Sequence, residues 1–401
     1  MKIAMLGQKG IPAHSGGVEQ HVDILSRELA SRGHEITVYC RRWYCRDEET
    51  AFHRQGVKRV FTPGIATKHL DAITHTLTAS IDVALRRADI VHYHALGPAA
   101  LAPLARLAGL PVVVTVHGLD WQRAKWGRFA TSCLRAAERV ASRSANRLLV
   151  VSPTLCEHFA RAHGTEATFV ANGVVPIEPR QPERMRRWGL EPNRYLLCVA
   201  RLVPEKGLHY LIEAFTGTDL DLKLVIAGGG ELNPGYEERL RAMADDRVVL
   251  TGAADRQLLS ELYTHARLFV LPSDLEGMSI ALLEAMSVGL PVLVSDIPQN
   301  GCVVESDEWT FRAGDVADLR RRLLELLADP ARLARGGKAA ARRAEAWNWS
   351  SVADQLELIY AQCAAPRSDA ALPASSSLDA SSAHARTAGD KPSEPAEGLK
   401  A

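Results

Sequence analysis

Arg201 closes the apolar run YLLCVA, and Lys206 follows five residues later in LVPEKG, so two cations sit where a strand pattern gives way to a loop. Paired cations of this kind neutralise a diphosphate, while the same spacing also suits a surface ion pair. Further along, PSDLEGMSIALLEAMSVGLPV follows the apolar run RLFVL. Glu276 lies in its loop, Gly277, Met278 and Ser279 open a helical pattern, and Glu284 lies inside that helix. Amides at a helix start suit phosphate oxygens, and a carboxylate on either side can accept hydrogen bonds from sugar hydroxyls. Near the N-terminus, KGIPAHSGGVE sets Gly16 and Gly17 just ahead of another helical pattern. Such a pair permits close backbone approach to an anion, although a tight turn uses the same residues.

Other arrangements carry less chemistry. The N-terminal loop is not GxGxxG, which argues against a nicotinamide cofactor. Asp219 and Asp221 spell D-x-D, a spacing that can chelate a metal, but they precede the run LKLVIAG. In open α/β sheets ligands gather outside the carboxyl ends of the strands, so this pair stands at the wrong end. His92 and His94 share one face of DIVHYH, and His117 ends VVVTVH. With no carboxylate third ligand and no outer shell evident, these read as packed or cleft-lining imidazoles. The seven cysteines, at 40, 45, 133, 156, 198, 302 and 363, contain no CxxC pair and read as reduced thiols. Ser152 ends a strand pattern without a G-x-S-x-G elbow, so nucleophilic hydrolysis lacks support.

The elements that must position these residues alternate. KIAMLG, ITVYC, DIVHYH, VVVTVH and RLLVVS are short apolar runs, mostly separated by helical patterns such as Val18, Val22, Leu25 and Leu29 before Gly33. Four prolines between Gly173 and Asn193 mark a linker holding a short helix, and YLLCVA, LKLVIAG, RVVLTG, RLFVLPS and LPVLVS then repeat the rhythm. Apolar strands without strict alternation, set between helices, predict parallel sheets covered on both faces: an α/β chain of two similar domains with a cleft between them. Residues 346–363 read as a terminal amphipathic helix opened by Asn348 or Ser350, and 364–401, rich in Ala, Ser and Pro, as a disordered tail.

The chain has 401 residues, 47% hydrophobic and 24% charged, which excludes coiled-coil, collagenous and wholly disordered classes. No apolar stretch approaches the roughly 18 residues of a membrane span, and Met1 to Gly7 is too short for a signal peptide, so a cytoplasmic location is expected. Charge is divided: residues 1–178 carry 22 Lys and Arg against 15 Asp and Glu, and the remainder 26 against 32. Much of the excess sits at Arg123, Lys125, Arg128, Arg135, Arg139, Arg143 and Arg147, near Trp121 and Trp126. A basic helix with aromatic residues at its start suits peripheral contact with the inner face of an anionic membrane, or else an anionic substrate subsite.

Glu276 and Glu284 form an E-x7-E arrangement that, with ARLVPEKG, VANGV, AGGG and the N-terminal GGVE, resembles the retaining glycosyltransferase family 4 of the GT-B fold. The resemblance covers about residues 1–363, and QKGIPAHSGGVEQH with VTVHGLDWQRAKWG looks like the bacterial branch that builds exopolysaccharide, capsule or lipopolysaccharide. It implies two Rossmann-like domains facing across a cleft, with 1–178 binding the acceptor and 179–345 the nucleotide sugar, and with the helix 346–363 returning to the first domain.

By position, the resemblance gives Arg201 and Lys206 the donor diphosphate, assisted by amides of Gly277, Met278 and Ser279. Met278 replaces the common aromatic or Leu, leaving the backbone role intact. Glu284 would bind the ribose, Glu276 the donor sugar hydroxyls, and His117 would lie against the donor sugar near the reacting carbon. Gly16 and Gly17 would approach the diphosphate from the opposite wall, and Glu19, Lys125 and Arg128 would contact the acceptor. The implied reaction moves a hexosyl unit from a nucleotide sugar to a glycan acceptor, lipid-linked, with no metal or other cofactor and no nucleic-acid partner. A nucleotide-sugar epimerase and a noncatalytic sugar-binding paralogue would share the architecture.

Overall fold

The computed structural model describes residues 1–14, 16–45, 53–54, 56–65, 67, 70–123, 126–229 and 234–365; Lys125, Gly230 and the expected tail from residue 366 lie outside them. The first sheet contains β1 (Lys2–Leu6), β2 (Glu35–Cys40), β3 (His53–Arg54), β4 (Val57–Phe61), β5 (Ile90–His94), β6 (Val112–Val116), β7 (Arg147–Val150) and β8 (Thr168–Phe169). Its spatial order is β3-β4-β2-β1-β5-β6-β7-β8, parallel throughout except for β3 against β4. The second sheet contains β9 (Tyr195–Val199), β10 (Lys223–Ala227), β11 (Val248–Gly252), β12 (Leu268–Leu271), β13 (Val292–Ser295) and β14 (Thr310–Phe311), all parallel in the order β11-β10-β9-β12-β13-β14.

Strands such as VVVTV are buried along their whole length, because helices cover both faces; this is why they read as unbroken apolar runs. Strand β4 carries no such signal. Its VKRVF places Arg59 in the interior, where the guanidinium donates to the carbonyl of Ile11, and a basic residue mid-strand hides the element from a hydropathy reading. The two-residue strands β3, β8 and β14 are too short to show periodicity.

Five helices matter for the site: α1 (Gly17–Ser31), α2 (Arg128–Ser144), α3 (Pro153–His163), α4 (Ile280–Ser287) and α5 (Trp349–Ala364). Helix α5 begins three residues later than the amphipathic pattern, because Asn348 Oδ1 accepts from the Ser351 amide at 2.8 Å and so caps it. Its apolar stripe of Trp349, Val352, Leu356, Ile359 and Tyr360 joins the core that Ile3, Met5, Val22 and Leu25 build under the first sheet. Polar bonds fix its register: the Tyr360 hydroxyl pairs with His92 Nδ1 at 2.7 Å, and Arg32 donates to Asp354 at 2.5 Å and to Glu357 at 2.9 Å. Between the sheets, the Pro-rich linker holds a single 3-10 turn, Arg184–Trp188. Among the described residues no helix is long and apolar enough to cross a membrane.

Candidate active site

In each sheet the strand order reverses beside the first strand, between β1 and β5 and between β9 and β12. A crevice opens at the carboxyl ends of such a reversal, because the two connections leave in opposite directions. The loops after β1, β6, β9 and β12 carry Gly16, His117, Arg201 with Lys206, and Glu276, so the topology brings these residues to facing edges.

The loops after β9 and β12 are locked to each other. Gly207 has a φ of +62°, and a Cβ there would lie 2.0 Å from the Pro272 carbonyl oxygen, so glycine is required on both counts. Beside it the Asp274 amide donates to the Glu205 carbonyl at 3.0 Å. This seats Lys206 Nζ 2.5 Å from Glu276 Oε1, which also accepts from Ser273 Oγ at 2.7 Å. Among the described residues Glu276 Oε2 receives no donor.

The Arg201 guanidinium has no hydrogen-bond or ion-pair partner among the described residues. Burial lowers its pKa, and the positive charge of Arg123 lowers it further, against the pull of Glu205, Glu19 and Glu276. A desolvated cation in this position is a standing cost that an anionic ligand would relieve.

Glu284 is enclosed. Its Oε1 accepts from Gln20 Nε2 and from Arg256 Nη1, each at 3.0 Å, and its Oε2 from the Tyr263 hydroxyl at 3.1 Å. Burial pushes its carboxyl pKa up, and Arg256, Gln20 and Tyr263 pull it back. Gln20 belongs to α1, so this carboxylate is held from both sides of the crevice.

The halves meet at a second point. A Cβ on Gly277 would lie 2.0 Å from the carbonyl oxygen of His117. Next to it Asn172 Nδ2 donates to the Met278 carbonyl at 2.8 Å, while Asn172 Oδ1 meets His21 Nδ1 at 2.9 Å. Ser279 caps α4 by accepting from the Leu282 amide at 3.3 Å. His117 stands over this contact, its Nε2 3.2 Å from His94 Nδ1, and burial holds its imidazole neutral.

Gly16, at a φ of +99°, leaves no room for a Cβ beside the Glu19 carboxylate. Glu19 turns inward and accepts from the Lys9 amide at 3.2 Å, so it pins its own loop. Arg128 is exposed at the start of α2. Asp221 pairs with Arg194 at the amino end of β10, away from the crevice, and Asp219 lies beside it in sequence.

Residues 181–343 match the family model described as glycosyl transferases group 1, and residues 15–176 match that of glycosyltransferase family 4. Over 375 residues the chain is 30% identical to a GDP-mannose-dependent alpha-(1-6)-phosphatidylinositol monomannoside mannosyltransferase of Mycolicibacterium smegmatis, covering 86% of this chain and 94% of that one. The chain belongs to glycosyltransferase family 4. It is a GT-B glycosyltransferase. Among solved structures it resembles a sucrose-phosphate synthase from Thermosynechococcus elongatus, with a TM-score of 0.76 at 20% identity over 90% of this chain and 98% of that one. It also resembles the Anabaena protein HepE in complex with UDP-glucose, with a TM-score of 0.75 at 18% identity over 90% of this chain and 100% of the other.

In this glycosyltransferase the sequence motifs do not reveal Gln20, Ser273, Arg256 or Tyr263, which hold the two glutamates. Gln20, Arg256 and Tyr263 lie 21 to 264 residues from Glu284, so only the fold juxtaposes them, whereas Ser273 is a local partner three residues before Glu276. Nor is the reason for glycine at 277 visible in the chain. Gly277→Ala should cost about 1–3 kcal/mol through overpacking against His117, whereas Gly17→Ala, whose Cβ meets open space, should stay within about 0.5 kcal/mol. Equal urea midpoints for the two variants would disprove the close contact.

Proposed function

We propose that this glycosyltransferase moves a hexosyl unit from a nucleotide sugar to a lipid-linked glycan acceptor in surface polysaccharide synthesis, with retention of anomeric configuration and no need for a divalent metal. The observation that carries the reading is the part-buried Arg201, whose guanidinium has no partner among the described residues, beside Lys206 and Glu276. Cleavage of the bond between the anomeric carbon and the diphosphate leaves negative charge on the departing oxygen. Arg201, Lys206 and the amides of Gly277 to Ser279 are groups of the right sign for that charge. Glu276 Oε2 is left to accept from sugar hydroxyls, and the enclosed Glu284 to exchange a protein donor for a ribose hydroxyl. The acceptor oxygen bonds to the anomeric carbon on the face the diphosphate leaves, and its proton passes to the leaving phosphate oxygen.

The second sheet would serve the donor and the first the acceptor. The named mannosyltransferase uses a lipid acceptor and GDP-mannose, and HepE was solved with UDP-glucose, so the class of donor is supported while its base and sugar differ among relatives. A lipid acceptor fits the exposed face of α2, where Arg128, Phe129, Arg135, Arg139 and Arg143 stand in solvent. Trp121 takes no part in that surface: its Nε1 donates to Glu138 Oε2 at 2.6 Å and Arg135 lies 4.5 Å over its ring.

Arg201→Ala and Lys206→Ala should each lose about 2–4 kcal/mol of transition-state stabilisation, read as a fall in kcat/KM with the donor that a UDP-, GDP-, ADP- and dTDP-sugar screen selects. Near-normal turnover in both variants would refute the assignment. Chelator should not lower the rate, and an absolute requirement for magnesium or manganese would overturn the metal-free reading. Anionic vesicles should sediment the protein at low salt and release it at high salt, since each basic residue contributes about 1 kcal/mol at such a surface. Sedimentation that survives neutral replacement of Arg128, Arg135, Arg139 and Arg143 would assign attachment to another face.

A further inference from the structure

Three imidazoles converge where the first sheet meets the Met278 loop. His21 comes from α1, His94 ends β5, His117 follows β6, and one ligating nitrogen of each lies within 4.8 Å of the other two. Asn172 determines which nitrogen of His21 carries the proton. The Met278 carbonyl can only accept, so Asn172 turns its Nδ2 toward it and its Oδ1 toward His21, and His21 Nδ1 must donate. With Nδ1 carrying the proton, the neutral ring leaves Nε2 as a bare lone pair. That atom is buried and has no hydrogen-bond partner among the described residues; the same is true of His94 Nε2. His94 Nδ1 and His117 Nε2 are 3.2 Å apart, close to the roughly 3.4 Å between two nitrogens on a tetrahedral ion with bonds of about 2.05 Å. His92 stands outside the group, since Tyr360 and Thr115 engage its two nitrogens at 2.7 Å each.

We propose that His21, His94 and His117 bind one divalent cation of the zinc class, Zn2+ or Co2+, with Asn172 as the outer-shell group that orients His21. Neutral imidazole is the form a metal requires, and a set of three nitrogens without a carboxylate selects late first-row ions over magnesium or calcium. A metal bond satisfies the lone pair of His21 that the fold leaves unmet. Because the family resemblance behind the proposed function puts His117 against the donor sugar, the ion inhibits transfer and does not serve it; this consequence alone rests on that reading.

Cobalt titration of the metal-stripped full-length protein tests the site without any sugar nucleotide. The expected result is one Co2+ per chain with the visible absorption of a four-coordinate ion, displaced by Zn2+. His21→Gln and His94→Gln should each weaken cobalt affinity at least about 10-fold, and Asn172→Ala about 10-fold with all three imidazoles kept. His158→Gln, in the separate group of Glu138, His158 and His163, should leave affinity unchanged. Circular dichroism identifies variants that fold, so that at least one of the three is read. Absence of saturable binding, thiolate charge-transfer absorption, or loss of binding in His158→Gln alone would overturn the proposal. Zn2+ at one equivalent should then suppress turnover of the selected donor. Binding without inhibition would leave the metal site standing and remove His117 from the donor.

Discussion

A methyl carbon at position 277 would stand 2.0 Å from the His117 carbonyl oxygen, and this exclusion sets how closely the loop after β12 approaches the end of β6. With only a hydrogen at 277, the backbones touch, and Asn172 then reaches the Met278 carbonyl while Gln20 reaches Glu284. Every polar contact across the crevice is short-range, so each depends on that approach. The loops after β9 and β12 obey a similar rule at Gly207, which lies against the Pro272 carbonyl and so brings Lys206 to Glu276.

On this frame the electrostatics divide by role. Glu284, deeply buried, is surrounded by donors from α1 and from the helix Arg256–His265, and its charge is offset where it stands. Lys206 and Glu276 offset one another, with one carboxylate oxygen left over. Arg201 is part-buried with no ion pair among the described residues, and only the more distant charges of Glu205, Glu19 and Glu276 oppose its desolvation and the repulsion of Arg123. Desolvated charge without a partner is costly in a folded protein, and such groups gather where a ligand completes them. The imidazole group behind His117 shows a comparable shortfall in hydrogen bonding, at the two Nε2 atoms of His21 and His94.

The sequence by itself determined the α/β class, the two series of parallel strands and the placement of Arg201, Lys206, Glu276 and Gly16 at the carboxyl ends of strands. These are local facts, carried by apolar runs of four to six residues and by glycines at their ends. It narrowed the cap of α5 to Asn348 or Ser350, and the structure gives it to Asn348, which acts on an amide three residues away. Strand β4 escaped because Arg59 interrupts its hydropathy while finding its partner in Ile11, 48 residues distant in the chain. Only the tertiary structure decided that Glu19 turns inward to its own loop, that Trp121 is tied to Glu138, and that His21 joins His94 and His117. Those outcomes depend on pairings across 10 to 151 residues, such as Lys9 with Glu19 and His21 with Asn172, and no periodicity records a partner so far along the chain. Residue type and spacing fix which chemistry a loop can offer; which of its groups remain unpaired is set by what the fold packs against them.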